Sequence, residues 1–290
     1  MDLIDALRSD PAWLIISCTL LGLTVGSFLN VVSLRLPRML ELGWHREARE
    51  ILGLPAVADE PMSLSSPPSR CPGCGSGIKL WHNVPLLGWL MLRGRCAKCG
   101  MRISVQYPLV EAAGGIAAAV CAWHFGWSAQ LLPSLVLSWT LIALTVIDLR
   151  TMLLPDDITL PLLWLGLWLA LFQPFCTLHD SVIGALAGYL SLWSLFHVFR
   201  LLTGKEGMGY GDFKLFAALG AWFGWQALPA IMLMSSVVGA TVGIGLIVFK
   251  RHGREIPIPF GPYLAGAGWI CMIWGPALSR AYFSASGIHH

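Results

Sequence analysis

Two sets of residues in this chain have the types and spacing to do chemistry. The first is four cysteines arranged as Cys71-Pro-Gly-Cys74-Gly and Cys96-Ala-Lys-Cys99-Gly, two CxxC knuckles separated by 21 residues. A knuckle turns tightly enough to aim two thiolates at one ion, and two knuckles complete a tetrahedral four-cysteine shell that suits zinc. Four thiolates leave no open position for a catalytic water, so the ion is expected to be structural. The competing reading, paired disulfides or a redox motif, is disfavoured for a loop in a reducing cytoplasm.

The second set is a pair of aspartates. Asp148 follows the apolar run Leu141 to Ile147, and Asp212 opens another after Gly209-Tyr210-Gly211. An Asp at a helix centre costs about 2.5–3.5 kcal/mol to insert into a bilayer and less near an end, so an acid at membrane depth marks function by default. Two converging carboxylates cannot both ionise cheaply: like charges about 4 Å apart repel by about 4 kcal/mol at an effective dielectric near 20. Such a pair shares a proton, the arrangement by which an aspartic protease activates water and protonates the leaving amine. Gly209 and Gly211 fit this reading, since they allow backbone to approach an extended substrate strand. The bland alternative is that each Asp caps a helix or pairs with Arg150, Lys205 or Lys214.

The elements that must position these residues are membrane helices. Only 12% of the 290 residues are charged while 56% are hydrophobic, against roughly 25% charged in soluble domains. That excludes an ordinary cytosolic enzyme and predicts an all-α polytopic membrane protein. The net charge of +3 is too small to argue for nucleic acid. With about 20 apolar residues needed per crossing, the predicted spans are 11–34, 106–126, 129–149, 153–173, 180–202, 212–226, 228–249 and 258–278. The first is not a cleavable signal: three Asp against one Arg precede it, and no small-residue cleavage site follows.

Basic residues gather in cytoplasmic loops. With the N-terminus outside, seventeen of the 19 basic residues fall on the cytoplasmic side, leaving Arg8 and Arg280 outside. Both termini are then external. Span three runs inward to Asp148 and span six starts at Asp212 and runs outward, so both carboxylates lie at one depth near the cytoplasmic face. The predicted organisation is a first membrane helix at 1–34, a cytoplasmic loop at 35–105 with its metal module at 70–100, and a multi-helix membrane peptidase domain at 106–290. The module is too short to fold on its own apolar core, so metal binding contributes to its folding.

The remaining features have plainer readings. Gly22/Gly26, Gly184/Gly188, Gly220/Gly224 and Gly239/Gly243 carry the small-xxx-small spacing of close helix packing. Cys18, Cys121, Cys176 and Cys271 serve as small apolar residues. Asp156, after Leu154-Pro155, reads as an N-cap and a supporting residue of the site. Arg35 and Glu111 lie at the inner ends of spans one and two, where they pair with each other or line a polar site. His197 reads as a hydrogen-bonded core histidine.

Taken together, these segments resemble the type IV prepilin leader peptidases, bifunctional membrane enzymes related to the Gly-x-Gly-Asp intramembrane aspartic proteases. The resemblance rests on Gly26-Ser-Phe-Leu-Asn-Val-Val with Arg35-Leu-Pro37, the double CxxC loop and Tyr107-Pro-Leu-Val-Glu111. It continues through Asp148 with Leu154-Pro-Asp156, the run from Gly204 to Lys214, and Pro259-Phe-Gly-Pro262. It implies that Asp148 and Asp212 are the catalytic pair, with Gly209, Gly211, Asp156 and Lys214 in support. The implied substrate is a prepilin or pseudopilin whose basic leader stays in the cytoplasm, at a bacterial inner membrane. A second implied activity is N-methylation of the exposed residue from S-adenosylmethionine. No Gly-rich nucleotide loop marks a donor site, and 35–111 is the region assigned to it. Two rival readings remain: a polytopic ion- or proton-coupled transporter, since membrane acids also mark ion routes, and a metal-loop docking module on a membrane anchor.

Overall fold

A computed structural model describes residues 3–55, 62–205, 207–250 and 258–286. Glu206 of the glycine-rich run, Arg251 and Arg254 of the basic cluster, and the terminal His289-His290 lie outside the described residues. The elements are α1 (Leu3–Ser9), α2 (Pro11–Ile51), a 3-10 turn (Leu80–Asn83), α3 (Leu87–Met91), α4 (Gln106–Phe125), α5 (Leu131–Thr151) and α6 (Asp156–Ala170). They continue with α7 (Leu178–Thr203), α8 (Tyr210–Phe223), a second 3-10 turn (Trp225–Ala227), α9 (Leu228–Lys250) and α10 (Gly261–Ser286). Among the described residues there is no extended strand, only the isolated bridges Arg70 to Gly77 and Arg95 to Arg102. The protein is all-α.

Every predicted span falls on a helix, but the count of eight crossings is not established. Among the described residues five segments are long and apolar enough to cross a membrane: α2, α4, α5, α7 and Trp225–Leu246. Helices α6 and α8 have 15 and 14 residues, about 22 and 21 Å of rise, shorter than a hydrocarbon core of about 30 Å. The largest departure is α2. It runs unbroken for 41 residues through Pro37 to Ile51, where a loop was predicted from residue 35. The stretch from Met39 to Glu50 is rich in Leu, Glu, Ala and Arg, strong helix formers whose charges suit i,i+4 spacing, so the helix continues after the apolar run ends. Asp10 caps its start by accepting from the Ala12 amide at 2.8 Å, with Pro11 in the first turn.

The chain divides into two compact units, Met1–Leu131 and Leu132–His290. Within the first unit α4 packs along α2. Both helices present glycine at the crossing. A Cβ on Gly26 would stand 2.8 Å from Glu111 Cα, and one on Gly114 would stand 3.1 Å from Gly26 Cα. Backbones approach this closely only where neither has a side chain. Asn30 Nδ2 donates to Tyr107 O at 3.0 Å one turn further on.

In the second unit α8 is the central helix, buried at Phe213 and from Leu215 through Trp222. Gly184 and Gly220 face each other, and Gly188 meets the Phe216 carbonyl, so the predicted glycine spacings join α7 to α8. Gly224 does not take part as a helix residue. It is the cap that ends α8, with a φ of +80°. Trp222 Nε1 donates to Leu162 O at 2.8 Å, tying α8 to α6, and Trp269 Nε1 donates to Ser138 Oγ at 2.9 Å, tying α10 to α5.

Candidate active site and metal centre

The metal centre is assembled by local backbone turns. In the first knuckle Cys71 N donates to Ser76 O at 2.9 Å and Gly75 N to Cys71 O at 2.8 Å. In the second, Cys96 N donates to Met101 O at 2.8 Å and Gly100 N to Cys96 O at 3.0 Å. The same turn is built twice, each closing on a glycine with positive φ, +67° at Gly75 and +70° at Gly100. The four sulfurs lie within 4.8 Å of one another, with Cys71 Sγ 3.7 Å from Cys99 Sγ and Cys74 Sγ 4.0 Å from Cys96 Sγ. A tetrahedron with Zn–S of about 2.3 Å has S···S edges of about 3.8 Å, so the four can hold one metal ion. Each pair is far beyond a disulfide length of about 2.05 Å. The amides of Cys99 and Lys98 hold the Cys96 sulfur and push its pKa down to about 6. The Met101 amide favours a thiolate at Cys99, but desolvation and hydrogen bonds to the other sulfurs push that thiol up to about 11.

The carboxylate pair depends on long-range packing. Asp148 lies in the last turn of α5 and is 5% exposed, and Asp212 lies in the first turn of α8 and is 7% exposed. Leu154 lies against Gly211, next to Asp212, and against Gly261, whose amide binds Asp148, so the fold brings together two carboxylates 64 residues apart. Gly261 N, at the start of α10, donates to Asp148 Oδ2 at 3.0 Å. Asp212 Oδ1 is buried and has no hydrogen-bond partner among the described residues. An unpaired buried carboxylate oxygen is costly unless a proton or a water completes it.

Leu154, in the connection from α5 to α6, holds the two ends together. A Cβ on Gly211 would stand 2.6 Å from Leu154 Cβ, and one on Gly261 would stand 3.1 Å from Leu154 Cδ1. Gly211 is therefore demanded by the chain's own packing. Gly209 differs: its Cβ position is open, with nothing nearer than Asp212 Oδ2 at 3.9 Å, and its extended backbone precedes α8 as the N-cap.

The supporting residues separate by contact. Asp156 is not an N-cap. Pro155 holds that position, and Asp156, in the first turn of α6, takes Lys214 Nζ at 2.6 and 2.7 Å. This is the ion pair that the bland reading assigned to Lys214, formed by Asp156 and not by either dyad member. Arg35 and Glu111 do not pair. Arg35 donates to the carbonyls of Ser63, Leu64 and Pro67, and Glu111 Oε2 accepts from Leu86 N at 2.8 Å. His197 is hydrogen-bonded to Trp193 O at 3.0 Å and stacks on that indole, but it is only half-buried, not a core residue. Gly261 was missed as a site residue. Its signal was present in Pro259-Phe-Gly-Pro262, yet no spacing rule links it to Asp148, 113 residues away.

Two family models match this chain: the bacterial peptidase A24 N-terminal domain over residues 20–125 and the type IV leader peptidase family over 135–244. A relative from Stutzerimonas stutzeri is 50% identical over 280 residues, covering 96% of this chain and 97% of its own length. One from Pseudomonas putida is 53% identical, covering 95% and 96%, and one from Neisseria gonorrhoeae is 49% identical, covering 90% and 91%.

The chain belongs to the type IV leader peptidase family.

All three relatives are named prepilin leader peptidase/N-methyltransferase. No solved structure matches the chain. The family's two matched segments correspond to the two units of the fold: the first contains the metal cluster and the second both aspartates.

Proposed function

We infer that this leader peptidase family member is an aspartic endopeptidase that removes the leader of type IV prepilins or pseudopilins and N-methylates the residue so exposed. The observation that carries the peptidase reading is the buried Asp148–Asp212 pair, with one oxygen held by the Gly261 amide and another, Asp212 Oδ1, unpartnered. A water between the two carboxylates attacks the scissile carbonyl. One carboxylate takes its proton and the other protonates the leaving amine, and the pair titrates as one unit. Gly209 leaves room beside Asp212 for an extended substrate strand. Asp156 and Lys214 tie the starts of α6 and α8 together.

The proposed orientation places the dyad at the cytoplasmic face. It is supported by Arg150, Arg200, Lys205 and Lys214, which sit at the same helix ends as the aspartates. We assign zinc to the four-cysteine centre on its thiolate set and its near-tetrahedral spacing, with a structural role in the loop that follows α2. S-adenosylmethionine supplies a methyl group when bound, and we assign it to 35–111. That segment ends on a buried acceptor that suits a cation, Glu111 on α4. The transporter reading has no observation in its favour.

The test is mass measurement of a prepilin incubated with the enzyme and S-adenosylmethionine in liposomes. Leader loss and a methyl addition are both expected. Correctly inserted Asp148→Asn or Asp212→Asn that still cleaves at the wild-type rate overturns the dyad. Ion flux without proteolysis restores the transporter. Photolabelling by S-adenosylmethionine outside 35–111 overturns that assignment.

A further inference from the structure

The metal module carries a surface that neither cleavage nor methylation uses. From Pro61 to Val110 the chain contains no Asp or Glu, and it carries Arg70, Lys79, Arg93, Arg95, Lys98 and Arg102. All six are exposed. Four thiolates and a divalent ion together contribute −2, so the loaded segment keeps a net +4.

Between Lys79 and Arg93 in the chain lies an exposed apolar face. Helix α3 turns Gly88 and Trp89 inward, with Trp89 Nε1 donating to Ile103 O at 3.4 Å. Its outward residues are Leu87, Leu90 and Met91, exposed by 58%, 60% and 73%. These stand at i, i+3 and i+4 and form one face. Trp81 is 59% exposed with Lys79 Nζ 5.3 Å from its ring. A five-residue helix in water gains nothing by showing three large apolar side chains outward.

The tethers place this face at membrane height. Leu86 N, immediately before α3, is bonded to Glu111, the sixth residue of α4. The start of α3 therefore stands level with the second turn of a span, about 7 Å from its first residue. Exposed Trp beside basic residues at that level is the composition of a membrane interface.

We propose that this face of the metal module is seated on an anionic bilayer surface, with Leu87, Leu90, Met91 and Trp81 at the acyl boundary and the six cations among phosphate headgroups. Lipid fits better than a protein occupant. A basic leader peptide is repelled by an acid-free cationic surface, whereas phosphatidylglycerol or a like anionic lipid complements it. The proposal rests on α4 being a span, and is independent of which side of the membrane the module occupies.

The test uses the full chain with Leu90→p-benzoylphenylalanine, and separately Leu87→p-benzoylphenylalanine. Each is reconstituted in vesicles of phosphatidylcholine alone or of equal parts phosphatidylcholine and phosphatidylglycerol. After illumination the expected product is a phospholipid adduct on α3. Its yield should be several-fold above that from Ala97→p-benzoylphenylalanine and several-fold higher with phosphatidylglycerol present. Arg93→Gln with Arg95→Gln should remove most of that gain. Retained metal content shows that each variant's module is folded. Adducts no more abundant than the Ala97 control, a yield indifferent to phosphatidylglycerol, or cross-links to prepilin or a second copy of the chain in place of lipid each overturn the proposal. Protease access in sealed vesicles reports sidedness separately, so an error in the orientation is distinguishable from an error here.

Discussion

In the metal centre all four ligands come from 29 consecutive residues, Cys71 to Cys99, and backbone turns within each knuckle aim them. In the carboxylate pair the two residues are 64 positions apart and are placed by the ends of α5 and α8, the Leu154 connection and the start of α10. The first centre is local and partly exposed. The second is buried and shared among helices. A local centre depends on its ligands and the ion, whereas a distributed one depends on every close approach that positions it. The two should therefore fail in different ways when altered.

The largest expected effect is on cleavage. Asp148→Asn and Asp212→Asn should each lower the rate by about 10²–10⁴-fold, the range for loss of a general acid or base, while helix content and metal content stay at wild-type levels. A loss of metal on mutating either Asp would break the comparison, since it would couple a distributed site to a local one.

Cys71→Ser attacks the other side of it. One zinc ligand is removed, so bound metal should fall and amide exchange across 70–100 should rise, because binding energy is folding energy in such modules. Acid should act in the same direction. Protons compete with the ion for all four sulfurs, so zinc should be released as the pH falls. Metal content that stays constant down to pH 4, followed on the intact protein, contradicts the assignment of four thiolate ligands.

Gly261→Ala sharpens the contrast, because it alters neither carboxylate. The added Cβ would fall 2.6 Å from Asp148 Oδ2. The carboxylate must move, and a displacement of about 1 Å at a reacting group costs on the order of 100-fold in rate. The loss should appear in kcat with the thermal transition little changed. A variant as active as wild type shows that the Gly261 amide does not position Asp148.

What the sequence made legible follows the same division. The four-cysteine cluster could be read from spacing alone, because the turns that build it lie inside the motif. The helices could be read from apolar runs, and Gly184 with Gly188 as packing positions from their spacing, since membrane packing writes itself at i,i+4. The extent of α2 beyond residue 34 could not, because hydropathy records where lipid stops and helix propensity records where the helix stops. Nor could the partners of Arg35 and Glu111. Each bonds backbone groups of an irregular loop, Ser63 to Pro67 and Leu86, and backbone acceptors and donors carry no residue signature.

The smallest expected effect concerns Asp156 and Lys214. Their ion pair is short, 2.6 Å, but the side chains are 54% and 25% exposed, so water screens much of the attraction and each long side chain loses freedom in making it. Exposed pairs of this kind contribute about 0.2–1 kcal/mol. A double-mutant cycle with Lys214→Ala and Asp156→Asn should return a coupling in that range for thermal stability. The pair also joins α6 to α8 within two residues of Asp212, so in a distributed site even a weak tether should be felt at the carboxylates. Cleavage should therefore fall more than the coupling energy alone implies, with kcat lowered and KM unchanged. A coupling well above that range, with kcat untouched, would make the pair a stabilising element of the fold with no part in positioning the dyad.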